Sequence, residues 1–146
     1  MSKGIEIHPD FIRSLILADS NGDTQALSFK NARGLTQIIF TTGQETARAI
    51  TRSQAIDLEQ IEYVTRTQLE QLAPEDLNDS AVNIMLACYQ ISKYNKEYQG
   101  HLDLVVSAWN LGAGSNNNGH PPEYQETLNL IGKVNGLFRF FIQSRL

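Results

Sequence analysis

Apolar residues recur along this chain at helical spacing, and no segment rich in Val, Thr or Tyr alternates apolar and polar residues over the length of a strand. Phe11, Leu15 and Ile16, for example, lie on one face of a helix. The spacing predicts helices from Pro9 to about Asp19, Gly43 to about Arg52, Thr65 to Leu72, about Asp79 to Tyr94, Leu102 to Trp109, and in a long C-terminal segment around Leu130 to Phe141. The pattern therefore predicts a mainly α fold.

Local signals refine the ends of two of these helices. The order Thr42-Gly43-Gln44-Glu45 has the form of a capping box, so Glu45 is interpreted as a helix-capping acid, and the polar residues before this helix are predicted to form a loop. The glycines of Gly112-Ala113-Gly114 predict the end of the fifth helix. Residues 115–122 are rich in Asn, Gly and Pro, which predicts a loop.

The length and composition are those of one globular domain. A chain of 146 residues is long enough for one continuous core, and 41% hydrophobic with 19% charged residues is an ordinary globular composition. We therefore expect a single domain over residues 1–146. The net charge of −4 argues against a nucleic acid partner, because a protein that binds the phosphate backbone carries a basic face.

The apolar runs and the cysteine usage exclude several further classes. No run reaches the roughly 18 apolar residues of a membrane-spanning helix, and residues 1–6 lack the apolar stretch of a signal peptide. The single cysteine, Cys88, lies in an apolar run and is expected to be a small buried side chain and a poor nucleophile. We expect no cofactor and no metal, and the oligomeric state is left open.

Several short motifs follow one another in a characteristic order. They are Asp19-Ser20, Ser28, Ala32-Arg33-Gly34-Leu35-Thr36-Gln37, Ala108-Trp109-Asn110-Leu111-Gly112-Ala113-Gly114 and Glu126-Thr127. In order and local spacing the chain resembles the soluble lytic transglycosylases, whose motifs are Glu-Ser, a Ser eight residues later, Ala-x-Gly-Leu-Met-Gln, Ala-Tyr-Asn-Ala-Gly-x-Gly and Glu-Thr. The resemblance extends from about residue 8 to 142 and implies a lysozyme-like helical domain.

The resemblance implies a reaction on peptidoglycan that uses a single carboxyl group, supplied here by Asp19. This acid would protonate the bond between N-acetylmuramic acid and N-acetylglucosamine, and the acetamido oxygen of the substrate would assist at the anomeric carbon. The ionised acid would then activate the 6-hydroxyl to close a 1,6-anhydro ring. At the C-terminal end of an apolar helix, partial burial and the negative helix end both favour the protonated form of the Asp19 carboxyl.

The other matched residues take their expected roles from the same resemblance. Ser28 and Gln37 match positions that form hydrogen bonds near the acid and the acetamido group, and Trp109 and Asn110 match the aromatic residue and the asparagine of the active site. Glu126 matches a glutamate that braces the core under the cleft, so it is expected to be structural. The implied partner is the peptidoglycan glycan strand, and the implied location is periplasmic or extracellular.

The chain departs from the family pattern at four positions. Asp19 stands in place of Glu and shortens the reach of the acid by roughly 1.5 Å, when a displacement of about 1 Å can cost of order 100-fold in rate. The other departures are Trp109 for Tyr, Thr36 for Met, and Leu130 where a Tyr is common. Two functions are therefore open: an active lytic transglycosylase, and a weakly active or inactive domain that binds glycan or a protein partner.

Two further interpretations concern the loop after the first helix and the aromatic residues. The order Asp19-x-Asn21-Gly22-Asp23 resembles the start of a calcium loop, but Thr24 replaces the turn glycine and Lys30 replaces the acidic ligand at position twelve, which argues against calcium. Two aromatic residues are candidates for a sugar cleft and equally for core packing: Phe40 and Tyr124.

Overall fold

The computed structural model describes residues 7–111 and 124–144, and this part of the chain contains six α-helices. They are α1 (Pro9–Ser20), α2 (Phe40–Arg52), α3 (Arg66–Glu70), α4 (Ser80–Glu97), α5 (Leu102–Leu111) and α6 (Gln125–Gln143). Two short 3₁₀ helices, Leu58–Gln60 and Pro74–Asn78, and two antiparallel strands, β1 (Ala32–Arg33) and β2 (Ile38–Ile39), complete the order. The predicted mainly α fold is confirmed.

The chain divides into two compact units. The first unit contains the described residues of 1–18 and 90–146, and thus most of α1, the end of α4, α5 and α6. The second unit contains residues 19–89, with both strands, α2, α3 and most of α4. The expectation of a single domain over residues 1–146 stays a prediction.

In the first unit, α1 packs on the C-terminal half of α6. The ring of Phe11 meets the ring of Phe138 edge-on at a centroid distance of 5.9 Å, and the Arg13 guanidinium lies 4.3 Å from the centroid of the Phe141 ring. The helices α5 and α6 also contact each other. The apolar core residues of this unit include Phe11, Leu15, Ile91, Val105, Val106, Ile131 and Val134.

In the second unit, α2 packs against α3 and β2. Its apolar core residues include Ile38, Ala47, Ile50, Leu69, Leu77, Val82 and Leu86. Side chains cap two of its helices. Thr65 and Gln68 form a reciprocal capping box at the start of α3, and the Asp79 carboxylate accepts hydrogen bonds from the backbone N–H groups of Ala81 and Val82 at the start of α4.

The predicted start of α2 was wrong. The helix begins at Phe40, with Ile39 as its N-cap and no side-chain capping bond, so Glu45 lies beyond the first turn and is exposed. The reason is that α2 follows directly from β2, whose pairing with β1 sets where the chain enters the helix. The capping-box pattern therefore occurs here inside a helix, where it caps nothing.

The two-stranded hairpin was not expected, since a loop was predicted before α2. Each strand has only two residues, with Ala32 opposite Ile39 and Arg33 opposite Ile38, which is too short for an alternating pattern to be visible. The predicted helix end at Gly112-Ala113-Gly114 and the predicted loop 115–122 lie outside the described residues.

The other sequence expectations concern Cys88 and the membrane. Cys88 is half-buried and not fully buried as expected. Its partial burial raises the pKa of the thiol, which lowers its thiolate content and agrees with the expected poor nucleophile. Among the residues that the structure describes, no helix is both long and apolar enough to cross a membrane.

Candidate active site

Asp19 lies in the last turn of α1, one residue before the helix ends at Ser20. The residue is half-buried, and its carboxyl oxygen Oδ2 is shielded from solvent. The free carbonyl groups at a helix C-terminus carry partial negative charge, which disfavours a second negative charge beside them. The role of Asp19 as the acid stays a prediction.

Ser20 connects the end of α1 to a distant turn of the same unit. Its hydroxyl donates a 2.7 Å hydrogen bond to the backbone carbonyl of Leu35 and accepts one of 3.2 Å from the N–H of Gly22. Leu35 lies in the turn 34–37 between β1 and β2, which the Gln37 N–H closes with a 3.1 Å bond to the Gly34 carbonyl. The Asp19-Ser20 motif and the motif that ends at Gln37 therefore meet.

Gln37 has an unusual backbone conformation for a residue that is not glycine, with φ of 55°. Its side-chain Nε2 donates to the carbonyl of Gly34 at 3.0 Å and to that of Ala26 at 3.3 Å. The amide nitrogen must face these two carbonyl oxygens, because the amide oxygen in its place would repel them. Gln37 thus supports its own turn and ties it to the segment before Ser28.

Ser28 organises the tight turn before β1. Its hydroxyl oxygen accepts hydrogen bonds from the N–H groups of Lys30 at 3.2 Å and Ala32 at 3.1 Å, and its backbone carbonyl accepts from Asn31 at 2.9 Å. Asn31 has a positive φ of 63°, which asparagine tolerates well. In the second unit the contacts of Ser28 are those of a turn residue, and the substrate role implied by the resemblance stays a prediction.

Asn83, on α4, is a site-supporting residue that the sequence analysis did not identify. It is completely buried and makes four hydrogen bonds: Oδ1 accepts from the Thr36 N–H at 3.1 Å and hydroxyl at 2.6 Å, and Nδ2 donates to the carbonyls of Arg33 at 3.1 Å and Leu77 at 2.8 Å. An asparagine among the apolar residues of a buried helix is the sequence signal that could have found it. Through its two bonds to Thr36, Asn83 therefore supports the turn 34–37.

Replacing Thr36 by valine is expected to destabilise the protein by about 1 kcal/mol, because Thr36 is fully buried and the change removes only its hydroxyl bond to Asn83. The matched control is Thr46→Val, since the Thr46 hydroxyl bonds to the Thr42 carbonyl within α2. We expect a smaller loss there, because helix carbonyls keep their backbone bonds. Urea unfolding of both variants measures the difference, and equal losses would contradict the role given to Asn83.

The remaining predicted site residues belong to the first unit. Asn110 and Trp109 are half-buried in the last turn of α5, and the Asn110 Oδ1 accepts a 2.9 Å hydrogen bond from the hydroxyl of Thr127 on α6. Thr127 is completely buried, whereas Glu126 is exposed in the first turn of α6. In the Glu126-Thr127 motif, the hydrogen bond between α5 and α6 is thus made by Thr127. The structural role of Glu126 stays a prediction.

The predicted residues therefore form two groups. Asp19, Ser28 and Gln37 share the second unit, and hydrogen bonds connect the segments that carry them. Trp109 and Asn110 share the first unit. Convergence of both groups on one groove stays a prediction.

The two aromatic candidates differ in exposure, since Phe40 is half-buried and Tyr124 is 64% exposed.

The loop after α1 is shaped by its own hydrogen bonds. The Asp23 carboxylate accepts the N–H of Gln25 at 2.9 Å, and Asn21 and Gly22 have positive φ values of 54° and 82°. Within residues 7–111 and 124–144, no cluster of three or more His, Cys, Asp or Glu side chains is arranged to hold a metal ion. In this structure Asp23 thus acts as a turn residue.

Comparison with known proteins gives a family and a related fold. The family model of the transglycosylase SLT domain matches residues 2–127. The fold is similar to that of the lytic transglycosylase Slt from Pseudomonas aeruginosa, solved as an inactive mutant, with a TM-score of 0.72 and 21% sequence identity. The match covers 94% of this chain and 22% of that chain, so this chain spans less than a quarter of the larger protein. A search of the curated proteins gives no significant match.

Proposed function

This chain belongs to the transglycosylase SLT domain family, and we propose on that basis that it cleaves the glycan strands of peptidoglycan as a lytic transglycosylase. The helical fold, which is similar to that of Slt, supports the same proposal. The site of action would be the periplasm or the cell exterior, where peptidoglycan lies.

The observation that carries the proposal is the hydrogen bond between Ser20 and the Leu35 carbonyl. It joins the end of α1, which bears Asp19, to the turn that bears Gln37, although the two bonded residues are 15 positions apart. These are the two motifs in which the resemblance places the acid and the acetamido-binding amide. An acid and a binding group held by the same turn suit a reaction at one sugar.

In the proposed reaction, Asp19 first acts as a general acid. Its carboxyl gives its proton to the glycosidic oxygen between N-acetylmuramic acid and N-acetylglucosamine as the bond from that oxygen to the anomeric carbon breaks. The acetamido oxygen of the N-acetylmuramic acid stabilises the anomeric carbon. The Asp19 carboxylate then takes the proton of the 6-hydroxyl, whose oxygen bonds to the anomeric carbon and closes the 1,6-anhydro ring. The proton balance closes without water, and the acid is regenerated.

The second candidate function is a glycan-binding domain with little or no catalysis. The observation that favours it is the acid itself, because aspartate reaches roughly 1.5 Å less far than glutamate and misplacement by about 1 Å can cost of order 100-fold in rate. Such a domain would bind insoluble peptidoglycan in a sedimentation assay and release nothing from it.

The products of digestion test the proposed function. We expect purified peptidoglycan to release muropeptides that end in 1,6-anhydro-N-acetylmuramic acid, because the 6-hydroxyl of the same sugar, and not water, bonds to the anomeric carbon. Liquid chromatography with mass spectrometry distinguishes these from reducing ends, which are heavier by one water. Reducing ends would show that water is the nucleophile, and would contradict the single-carboxyl mechanism. Binding without release would favour the second candidate.

A further inference from the structure

We infer that Ser20 is a positioning residue: its hydroxyl fixes the end of α1, and with it the Asp19 carboxyl, on the turn that carries Gln37. The inference rests on the proposed function, because Asp19 is the proposed acid. We assign Ser20 no contact with the substrate. Its effect on the rate would pass through the position of Asp19.

The hydroxyl of Ser20 both donates and accepts a hydrogen bond. It donates to the Leu35 carbonyl at 2.7 Å, and it accepts the N–H of Gly22 at 3.2 Å. After Ser20 the chain leaves the helix through two residues with positive φ, Asn21 and Gly22. The last turn of a helix lacks part of its backbone bonding. A long-range bond at this point therefore restrains the end of the helix.

The acceptor of this bond belongs to a turn that is itself held in place. Leu35 is buried, and its neighbour Thr36 donates two hydrogen bonds to Asn83. Gln37 ties the same turn to the carbonyls of Gly34 and Ala26. Because the turn is bonded on both sides of Leu35, the Leu35 carbonyl is a fixed point. The hydrogen bond from the Ser20 hydroxyl to this carbonyl therefore fixes the position of Ser20, which is the residue next to the proposed acid.

The chain provides a matched control for this hydroxyl. Ser53 follows α2 as Ser20 ends α1, and its hydroxyl oxygen accepts an N–H from Ala55 at 3.2 Å, as that of Ser20 does from Gly22. Both serines are half-buried residues of the second unit. The bond to a distant carbonyl distinguishes Ser20. Comparison of the two alanine variants therefore separates that bond from the local role of a helix-end serine.

Steady-state kinetics on peptidoglycan is the first test. We expect Ser20→Ala to lower kcat by about 10- to 100-fold with little change in KM, because a shift of the acid by about 1 Å affects the chemical step. Ser20→Thr keeps a hydroxyl and should recover most of kcat, and Ser53→Ala should match the wild type. A Ser20→Ala variant with wild-type kcat would overturn the inference, as would a loss shared equally by Ser53→Ala. If Ser20→Ala does not fold, Ser20→Cys makes the same comparison with a near-isosteric, weaker donor.

The second test does not depend on activity. We expect the Asp19 carboxyl carbon and the Gln37 side-chain amide resonances in NMR spectra to move in Ser20→Ala and to stay in place in Ser53→Ala. Unchanged resonances in a folded Ser20→Ala protein would overturn the inference even if activity fell. A wild-type protein that releases no muropeptide would instead count against the proposed function, while the spectra would still decide whether Ser20 positions Asp19.

Discussion

Replacing Asp19 by asparagine is expected to abolish the release of muropeptides, because an amide cannot supply the proton that the leaving oxygen needs. General acid catalysis contributes about 100- to 10,000-fold, so the loss should be of this size. Asp19→Glu is expected to raise the rate above that of the wild type, since the added methylene returns the carboxyl toward the glycosidic oxygen. Muropeptide release per unit of folded protein, quantified by mass spectrometry, measures both changes.

Asp23→Asn is the matched control for these variants. Asp23 is an exposed carboxylate four positions after Asp19, and it accepts a local hydrogen bond from the Gln25 N–H. We expect its replacement to leave the rate unchanged. If Asp19→Asn kept the wild-type rate, Asp19 would not be the acid. If Asp19→Glu were folded but inert, the glycan-binding function would become the better explanation.

Replacing Gly34 by alanine is expected to destabilise the second unit by about 2–6 kcal/mol. Gly34 has φ of +79°, and a Cβ at this position would overlap the carbonyl oxygen of Leu77 and the Nδ2 of Asn83. The left-handed conformation costs a residue with a side chain about 1–3 kcal/mol, and overpacking of a tight site costs about 1–3 kcal/mol more. The free energy of unfolding in urea measures the sum.

Gly22→Ala isolates the contribution of the overlap. Gly22 has almost the same backbone angle, φ of +82°, and a Cβ there would meet nothing within 4 Å. Gly22→Ala should therefore lower the free energy of unfolding only by the cost of the left-handed conformation, about 1–3 kcal/mol. If Gly34→Ala were no less stable than Gly22→Ala, Asn83 would be able to move away from the turn without cost. Its four hydrogen bonds would then not be the support that we describe.

The helices were predictable because each one carries its own pattern. Phe11 and Leu15 on α1 and Val134 and Phe141 on α6 recur at the helical period, and the same residues are buried in the structure. The helix predicted from about Asp79 to Tyr94 is observed as α4, Ser80–Glu97, close to the predicted bounds. At α2 the local signal failed, because a strand pairing rather than a capping side chain determines where the helix begins.

The sequence by itself determined the mainly α fold and the order of motifs that identifies the family, because helical periodicity and motif spacing are properties of short segments. It also singled out Asp19 and Gln37 as candidate site residues. Only the tertiary structure decided which atoms hold them. The bond from Ser20 to Leu35 crosses 15 positions, and the bonds from Thr36 to Asn83 cross 47. Contacts at such separations depend on how the elements pack, and no local pattern specifies them.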